Sequence, residues 1–163
     1  MIMKVYQIKR TLLFDRPIEE IWDFFSSPLN LARITPPHMA FEIKSELPGE
    51  MYAGMIIEYR VRPLFNIPVT WVTEITRLQK PAIFIDEQRI GPYAFWHHQH
   101  HVRSVKNGTE VTDMVHYSLP FGILGTFLHW LFIKSQLNAI FDYREKALEA
   151  LLPQRPIQQQ LTT

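Results

Sequence analysis

The hydrophobic pattern is strongest near the C-terminus, where Leu124 to Leu152 has the spacing of one long helix without internal proline. In its second half, one face carries side chains that recur at steps of three or four, which places them on the same side of a helix. These residues are Ile133, Leu137, Phe141, Arg144, Leu148 and Leu151. The other positions of that half are mostly polar or charged. We therefore expect an amphipathic helix whose apolar face packs on the rest of the domain.

The first half of this helix is apolar on all sides, because only Thr126 and His129 are polar between Phe121 and Ile133. The run is shorter than the roughly 18 to 20 apolar residues that a membrane-spanning helix needs, so we predict no stable membrane insertion. We favour a helix start that packs across the mouth of a sheet. A homodimer contact through Phe121–Phe132 and a contact with a membrane surface are the alternatives.

Upstream of this helix, short apolar or alternating runs separated by turn residues predict seven strands. They are Tyr6–Leu13, Phe41–Ser45, Met55–Arg62, Val69–Leu78, Ala82–Arg89, Ala94–Val105 and Thr109–Ser118. Two short helices follow the first strand, one beginning at Asp15-Arg16-Pro17 and the other running from Pro28 to Ile34. The links between the later strands are short, so the sheet must be antiparallel. We predict a single α+β domain over residues 1–153, with a curved sheet wrapped around the long helix, and a flexible polar tail over residues 154–163.

The Asn107-Gly108 pair is a strong hairpin signal and sets a register for the last two strands. We take Lys106 to face Thr109, and opposed residues then share a face of the sheet. The more apolar face, which we predict to be concave and inward, contains Trp96, His98, His100, Val102, Ser104, Val111, Asp113, Val115, Tyr117 and Leu119. Its polar members His98, His100, Asp113 and Tyr117 are therefore expected inside an apolar cup.

The histidines and Asp113 of this face are the candidate catalytic residues. Asp113 is expected one diagonal step from His100, close enough for a carboxylate–imidazole hydrogen bond. Such a pair either belongs to an internal hydrogen-bond network that fixes the strand register, or contacts a ligand, or does both. His98 and His100 are also spaced for a shared metal ion, with Asp113 or Glu87 as a third ligand. The His-x-His pattern of cupins needs a carboxylate three or four residues later, which this chain lacks, so we predict neither a metal nor a cofactor.

Other elements contribute candidate ligand-binding residues. In the strand Ala82–Arg89, either Glu87 or the pair Asp86 and Gln88 points inward, because the following Gly91-Pro92 turn does not fix the parity. Arg144 lies on the apolar helix face, where it would suit an acidic group of a ligand. The full candidate set for ligand binding is Trp71, Glu87, Trp96, His98, His100, Asp113, Tyr117, Phe141 and Arg144.

The composition of the chain limits which binding partners and which cellular compartment we expect. With 17 basic and 16 acidic residues, the net charge of +1 provides no field for nucleic acid, and the chain has no glycine-rich phosphate loop. The absence of cysteine and of a signal-peptide pattern predicts a cytoplasmic protein. Aromatic residues make up 13% of the chain, enough to line a cavity as well as to pack a bent sheet against a helix.

Several motifs of the sequence resemble the ligand-binding SRPBCC proteins of the START, polyketide-cyclase and birch-pollen-allergen superfamily. They are Phe84–Tyr93, Trp96–His100, Asp113–Tyr117 and Leu119–Gly122, together with Thr35-Pro36, Trp71 and Phe141–Arg144. The resemblance covers nearly the whole domain. It implies a helix-grip fold, in which seven antiparallel strands wrap a C-terminal helix around a deep cavity. Members of the superfamily bind lipids, sterols, quinones and polyketides.

Three functions follow from these observations. The first is binding or carriage of a hydrophobic or aromatic small molecule, of lipid, polyketide or quinone type, in a cavity of several hundred Å³. The second is an enzyme of the aromatase, cyclase or dehydratase type that uses the histidine–aspartate pair of the cavity. The third is an interaction module that docks through Phe121 to Phe132.

Overall fold

The computed structural model describes residues 4–64 and 66–152. Its strands are β1 (Tyr6–Phe14), β2 (Glu42–Ile43), β3 (Ile56–Leu64), β4 (Ile67–Gln79), β5 (Ile83–Ile90), β6 (Phe95–Val105) and β7 (Gly108–Ser118). Two short helices, α1 (Ile18–Phe25) and α2 (Pro28–Arg33), follow β1, and a 3₁₀ turn spans Pro37–Met39. The C-terminal helix consists of α3 (Ile123–Leu128), a π-helical segment (His129–Ile133) and α4 (Lys134–Leu151). Pro153 and the predicted tail over 154–163 lie outside the described residues.

These elements form the predicted helix-grip fold. The seven strands make one antiparallel sheet in the order β1-β7-β6-β5-β4-β3-β2, so each strand from β2 to β7 lies beside its neighbour in sequence. The predicted order of strands and helices, with two short helices after the first strand, is confirmed.

The buried clusters of the core show which side of the sheet the C-terminal helix packs against. One buried cluster joins the C-terminal end of α4 (Leu148, Leu152) to Trp22 and Phe84, and a second joins Leu137 and Phe141 to strands β1 and β7. The third cluster contains Met55, Ile57, Tyr59, Val61 and Ile75 of the β3–β4 side, and none of its buried residues comes from the helix. The helix therefore packs closely against one side of the concave sheet and leaves room above the other.

The β6–β7 hairpin differs from the predicted register by two residues. Val105 pairs with Gly108, so Lys106 and Asn107 form the turn, and His100 lies directly opposite Asp113 instead of diagonally. Gly108 occupies the first position of β7 because its φ of +132° and its approach to β1 exclude a side chain: a Cβ would lie 2.0 Å from the carbonyl oxygen of Phe14. Side chains alternate with a period of two, so a shift by two leaves every residue on its predicted face.

The start of the C-terminal helix is more exposed than expected for a helix start that packs across the mouth of the sheet. Along α3 and the π segment only Gly125, His129 and Ile133 are buried. The opposite side is an exposed apolar patch, which consists of Phe121, Ile123, Leu124, Phe127, Trp130 and Leu131. Ile123 is 90% exposed and Trp130 is 77% exposed, so the sheet covers only one side of this segment. Among the described helices, none combines the length and the apolar character needed to cross a membrane.

Candidate functional site

A cavity of about 170 Å³ lies between the helix and the β3–β4 side of the sheet. Its walls are largely apolar and aromatic and include Ile57, Tyr59, Trp71, Ile75, Phe84, Tyr93, Trp96, Leu137 and Phe141. The cavity is smaller than the several hundred Å³ expected from the sequence. Part of the reason is that three large rings pack on one another at its edge: Trp96 lies 5.2 Å from Trp71 and 4.8 Å from Tyr93, measured between ring centroids.

Four titratable side chains from three adjacent strands form a buried cluster at one end of this cavity. Strand pairing aligns Asp86 with His98 and His100 with Asp113, and all four point to the concave side. Nε2 of His100 lies 2.8 Å from Oδ2 of Asp86, and Nδ1 of the same ring lies 2.7 Å from Oδ1 of Asp113. The centre of the His98 ring lies 3.8 Å from that of His100, with the two rings tilted by 39°. The His98 ring lies 3.4 Å from each carboxylate, through Nδ1 to Asp86 and Nε2 to Asp113. The two imidazoles thus lie between two carboxylates.

The members of the cluster differ in their access to the cavity. Asp86, His98 and His100 line it, whereas Asp113 lies behind the two rings and does not. Arg144 comes from α4 and also lines the cavity. Its Nη1 lies 3.6 Å from Oδ2 of Asp113, and its guanidinium carbon lies 5.1 Å from the centre of the Phe141 ring. Arg144 therefore offsets the charge of the deeper carboxylate.

The environment separates the two histidines in proton affinity. Burial and the neighbouring His100 lower the pKa of His98. Burial also opposes a charge on His100, but the Asp113 and Asp86 carboxylates outweigh it and raise the pKa of that ring. Burial would by itself raise the pKa of Asp113, yet His100 and His98 hold it well below its ordinary value. His100 is thus the ring of the pair that carries a positive charge more readily, and Asp113 is a carboxylate.

Two of the candidate ligand-binding residues lie outside both the cavity and the buried cluster. Glu87 is on the convex face of the sheet, where its Oε1 lies 2.8 Å from Nδ1 of His97 and its Oε2 lies 3.1 Å from Nη1 of Arg89. The sequence left open whether Glu87 or the pair Asp86 and Gln88 points inward, and the pairing of Asp86 with His98 gives the inward parity to Asp86. The candidate Glu87 therefore does not face the cavity. Tyr117 is on the concave face but does not line the cavity. Its hydroxyl lies 2.8 Å from Nε2 of His129, and burial raises the pKa of Tyr117 to about 12.

Six of the candidate ligand-binding residues line the cavity, namely Trp71, Trp96, His98, His100, Phe141 and Arg144. Sequence reasoning missed Tyr93 and did not commit to Asp86 and Gln88. The Gln88 side chain donates a hydrogen bond to the backbone carbonyl of Tyr93 (2.7 Å), which closes the β5–β6 turn and holds Tyr93 at the cavity edge. Phe84 offered a signal for this parity, because a large aromatic residue on β5 that faces the core brings Asp86 and Gln88 to the same side.

Comparison with solved structures shows the same fold. A Chromobacterium violaceum protein matches with a TM-score of 0.66 and 16% identity, over 90% of this chain and 96% of that chain. The di-domain ARO/CYC BexL from the BE-7585A biosynthetic pathway has a TM-score of 0.67 and 14% identity, over 93% of this chain and 51% of that chain. A point mutant of Thalictrum norcoclaurine synthase in complex with a transition state analogue has a TM-score of 0.62 and 14% identity, over 93% and 99% of the two chains. These likenesses confirm the helix-grip resemblance at the level of the fold. No family model matches the sequence, and the search of curated proteins gives no significant match.

Proposed function

We propose that the protein binds a small aromatic molecule in this cavity, with a polar group of the molecule directed at Asp86, His98 and Arg144. The observation that carries the proposal is the composition of the cavity. Its walls are mainly apolar and aromatic, and its ionisable side chains converge at one end. Ligand pockets have this composition because apolar contacts supply affinity and a few polar groups fix the orientation of the ligand.

The volume of the cavity narrows the ligand class. About 170 Å³ is close to the roughly 150 Å³ of an engineered apolar cavity that binds benzene. It is below the roughly 300 Å³ at which pockets for drug-sized ligands begin. One or two rings, such as the ring of a quinone or the end of an aromatic polyketide, fit this space. A complete lipid chain extends past it.

The polar end suits an oxygen substituent on such a ring. The Asp86 carboxylate accepts a hydrogen bond from a hydroxyl group. Arg144 offers donors to a carbonyl, phenolate or carboxylate, and its buried Nε has no hydrogen-bond partner among the described residues. A ligand that supplies this partner removes the cost of an unsatisfied buried donor, which is about 1 to 3 kcal/mol.

An enzyme of the aromatase, cyclase or dehydratase type is the second candidate, and the position of His98 favours it. This ring lines the cavity and lies 3.4 Å from each of two carboxylates. A ligand ring in the cavity is therefore beside an imidazole that can exchange a proton with it. BexL and norcoclaurine synthase share only the fold with this chain, so they support this candidate by analogy.

Binding is tested by mass spectrometry of small molecules extracted from the purified protein, and by calorimetric titration of one-ring and two-ring phenols and aromatic acids, with 2-naphthol as the reference probe. We expect a bound aromatic compound, or saturable binding with one site per chain. The same incubations, continued with short polyketide mimics and analysed for products, test the enzyme candidate. No extracted compound together with no titratable probe would contradict the binding proposal, and binding without turnover would contradict the enzyme.

The exposed apolar patch is the basis of a separate proposal, namely that the protein forms a homodimer through this surface. Contiguous apolar surface of this kind marks contact sites, because its exposure to water is unfavourable. We expect dimerisation that depends on protein concentration in analytical ultracentrifugation, and its loss in Trp130→Glu, which places a charge at the centre of the patch. Glu149→Lys, a charge change elsewhere on α4, is the control. A wild-type protein that stays monomeric at high concentration would overturn the dimer, and binding to lipid vesicles would assign the patch to a membrane surface.

A further inference from the structure

We propose that Asp86, His98 and His100 form a binding site for one divalent transition metal ion such as Zn²⁺. Each residue offers one donor atom, and these three atoms lie within 4.8 Å of one another. This inference stands apart from the proposed function, since it requires no organic ligand.

The geometry suits a metal ion with nitrogen and oxygen ligands. Bonds of about 2.0 to 2.1 Å to histidine nitrogen and carboxylate oxygen place tetrahedral donors roughly 3.3 Å apart. In the cluster, Oδ2 of Asp86 lies 3.4 Å from Nδ1 of His98 and 2.8 Å from Nε2 of His100. Small rotations of the side chains therefore bring all three donors to one ion. Two imidazoles and a carboxylate are a ligand set for zinc and for other first-row divalent ions.

Asp113 completes the arrangement from behind. Each histidine turns one ring nitrogen to Asp86 and the other to Asp113, at 2.7 Å for Nδ1 of His100 and 3.4 Å for Nε2 of His98. Neither contact has hydrogen-bond geometry, since Nδ1 of His100, Nε2 of His98 and Oδ1 of Asp113 have no hydrogen-bond partner among the described residues. The small ring rotations that bring the other nitrogens to an ion would let Asp113 accept these N–H groups, which would fix the tautomer of each metal-bound histidine. One buried carboxylate would then serve both ligands, and Arg144, 3.6 Å away, compensates its charge.

The net charge of the cluster and its position at the cavity wall also suit a bound cation. With both imidazoles neutral, the two carboxylates and the Arg144 guanidinium leave a net charge of −1 at a buried position. A bound divalent ion offsets this charge. Because the three ligands line the cavity, the ion would keep a coordination position open towards it, as in sites where a metal contacts water or a ligand. The sequence places His98 and His100 at a spacing suited to a shared metal ion, but it hides the third ligand, because Asp86 comes from a strand whose parity the sequence does not fix.

The experiment titrates chelator-treated full-length protein with Zn²⁺, and with Co²⁺ for its visible absorption. We expect one ion per chain after dialysis, and at least 100-fold weaker binding in Asp86→Asn and in His98→Gln. Asp113→Asn should weaken binding by about 10-fold to 100-fold, the usual effect of removing a partner of a metal-bound histidine. The convex face offers matched controls, since Glu87→Gln and His97→Gln likewise remove one carboxylate and one imidazole from the same two strands. Both variants should bind the metal as the wild type does.

Wild-type protein alone also decides the question if a variant fails to fold. Nitrogen-15 NMR of the histidine rings should show Zn²⁺-dependent shifts at Nδ1 of His98 and Nε2 of His100, with those of His97 and His101 unchanged. Shifts confined to the convex histidines, no binding of either metal, or equal binding by Asp86→Asn and wild type would each overturn the site. Failure of 2-naphthol to bind would leave this result untouched, so the two proposals fail separately.

Discussion

Asp113→Ala is expected to lower the free energy of unfolding by about 3 to 5 kcal/mol, the usual cost of removing one partner from a buried set of charges. The change leaves the His100 ring and the Arg144 guanidinium without the carboxylate that lies 2.7 Å and 3.6 Å from them, respectively. Both side chains are largely buried, with 9% and 13% of their surface exposed, respectively. Urea denaturation at neutral pH, followed by circular dichroism, measures the difference.

The control for this variant is Asp142→Ala. Asp142 also faces an arginine, with its Oδ1 3.4 Å from Nη2 of Arg10, but its side chain is 60% exposed. Exposed pairs contribute little because water replaces the lost partner, so this variant should stay within about 0.5 kcal/mol of wild type. If both variants lost the same small amount, the buried cluster would not depend on Asp113.

Thr73→Trp is expected to weaken the binding of 2-naphthol by at least tenfold, which corresponds to about 1.4 kcal/mol. Thr73 is buried in the middle of β4 and lines the cavity. An indole at this position extends into the space of about 170 Å³ that the ligand would occupy. The variant should also unfold more easily by about 1 to 3 kcal/mol if the new side chain does not fit without strain. Calorimetric titration measures the affinity directly.

Thr70→Trp provides the matched control, because Thr70 lies on the same strand with its side chain on the exposed face. It should bind the probe as the wild type does. Equal affinity of Thr73→Trp and wild type would place the ligand outside the cavity, even if the protein binds aromatic compounds.

The face of β6 and β7 could be predicted from the sequence because of the alternation of their side chains. His98 and His100 are two positions apart on β6, and Asp113 has the matching parity on the next strand. The predicted register was wrong by two residues, since the choice between Asn107-Gly108 and Lys106-Asn107 as the turn depends on how closely Phe14 approaches Gly108. The error did not disturb the cluster, because a shift by an even number preserves the faces.

Other parts of the site depend on packing that the sequence does not encode locally. On β5 the residues Ile83, Phe84 and Ile85 are all apolar, so alternation alone could not select Asp86 over Glu87, and the large Phe84 ring was the only signal. The burial of His129 depends on Tyr117 and on Tyr6, whose ring stacks 3.5 Å from it, and both come from distant strands. The volume of the cavity depends on the rotamers of Trp71, Tyr93 and Trp96. The cytoplasmic location stays a prediction.

The π-helical segment joins two parts of the C-terminal helix that face different surroundings. On its N-terminal side, Ile123 and Phe127 point to solvent, and on its C-terminal side, Phe141 and Arg144 reach the cavity. His129, at the start of this segment, is tied to the sheet through Tyr117. If a partner bound the exposed apolar patch and rotated or shifted the start of the helix, the continuous helix would transmit this movement to the residues around the ligand. Ligand binding in the cavity and partner binding at the patch would then change each other's affinity through the helix alone.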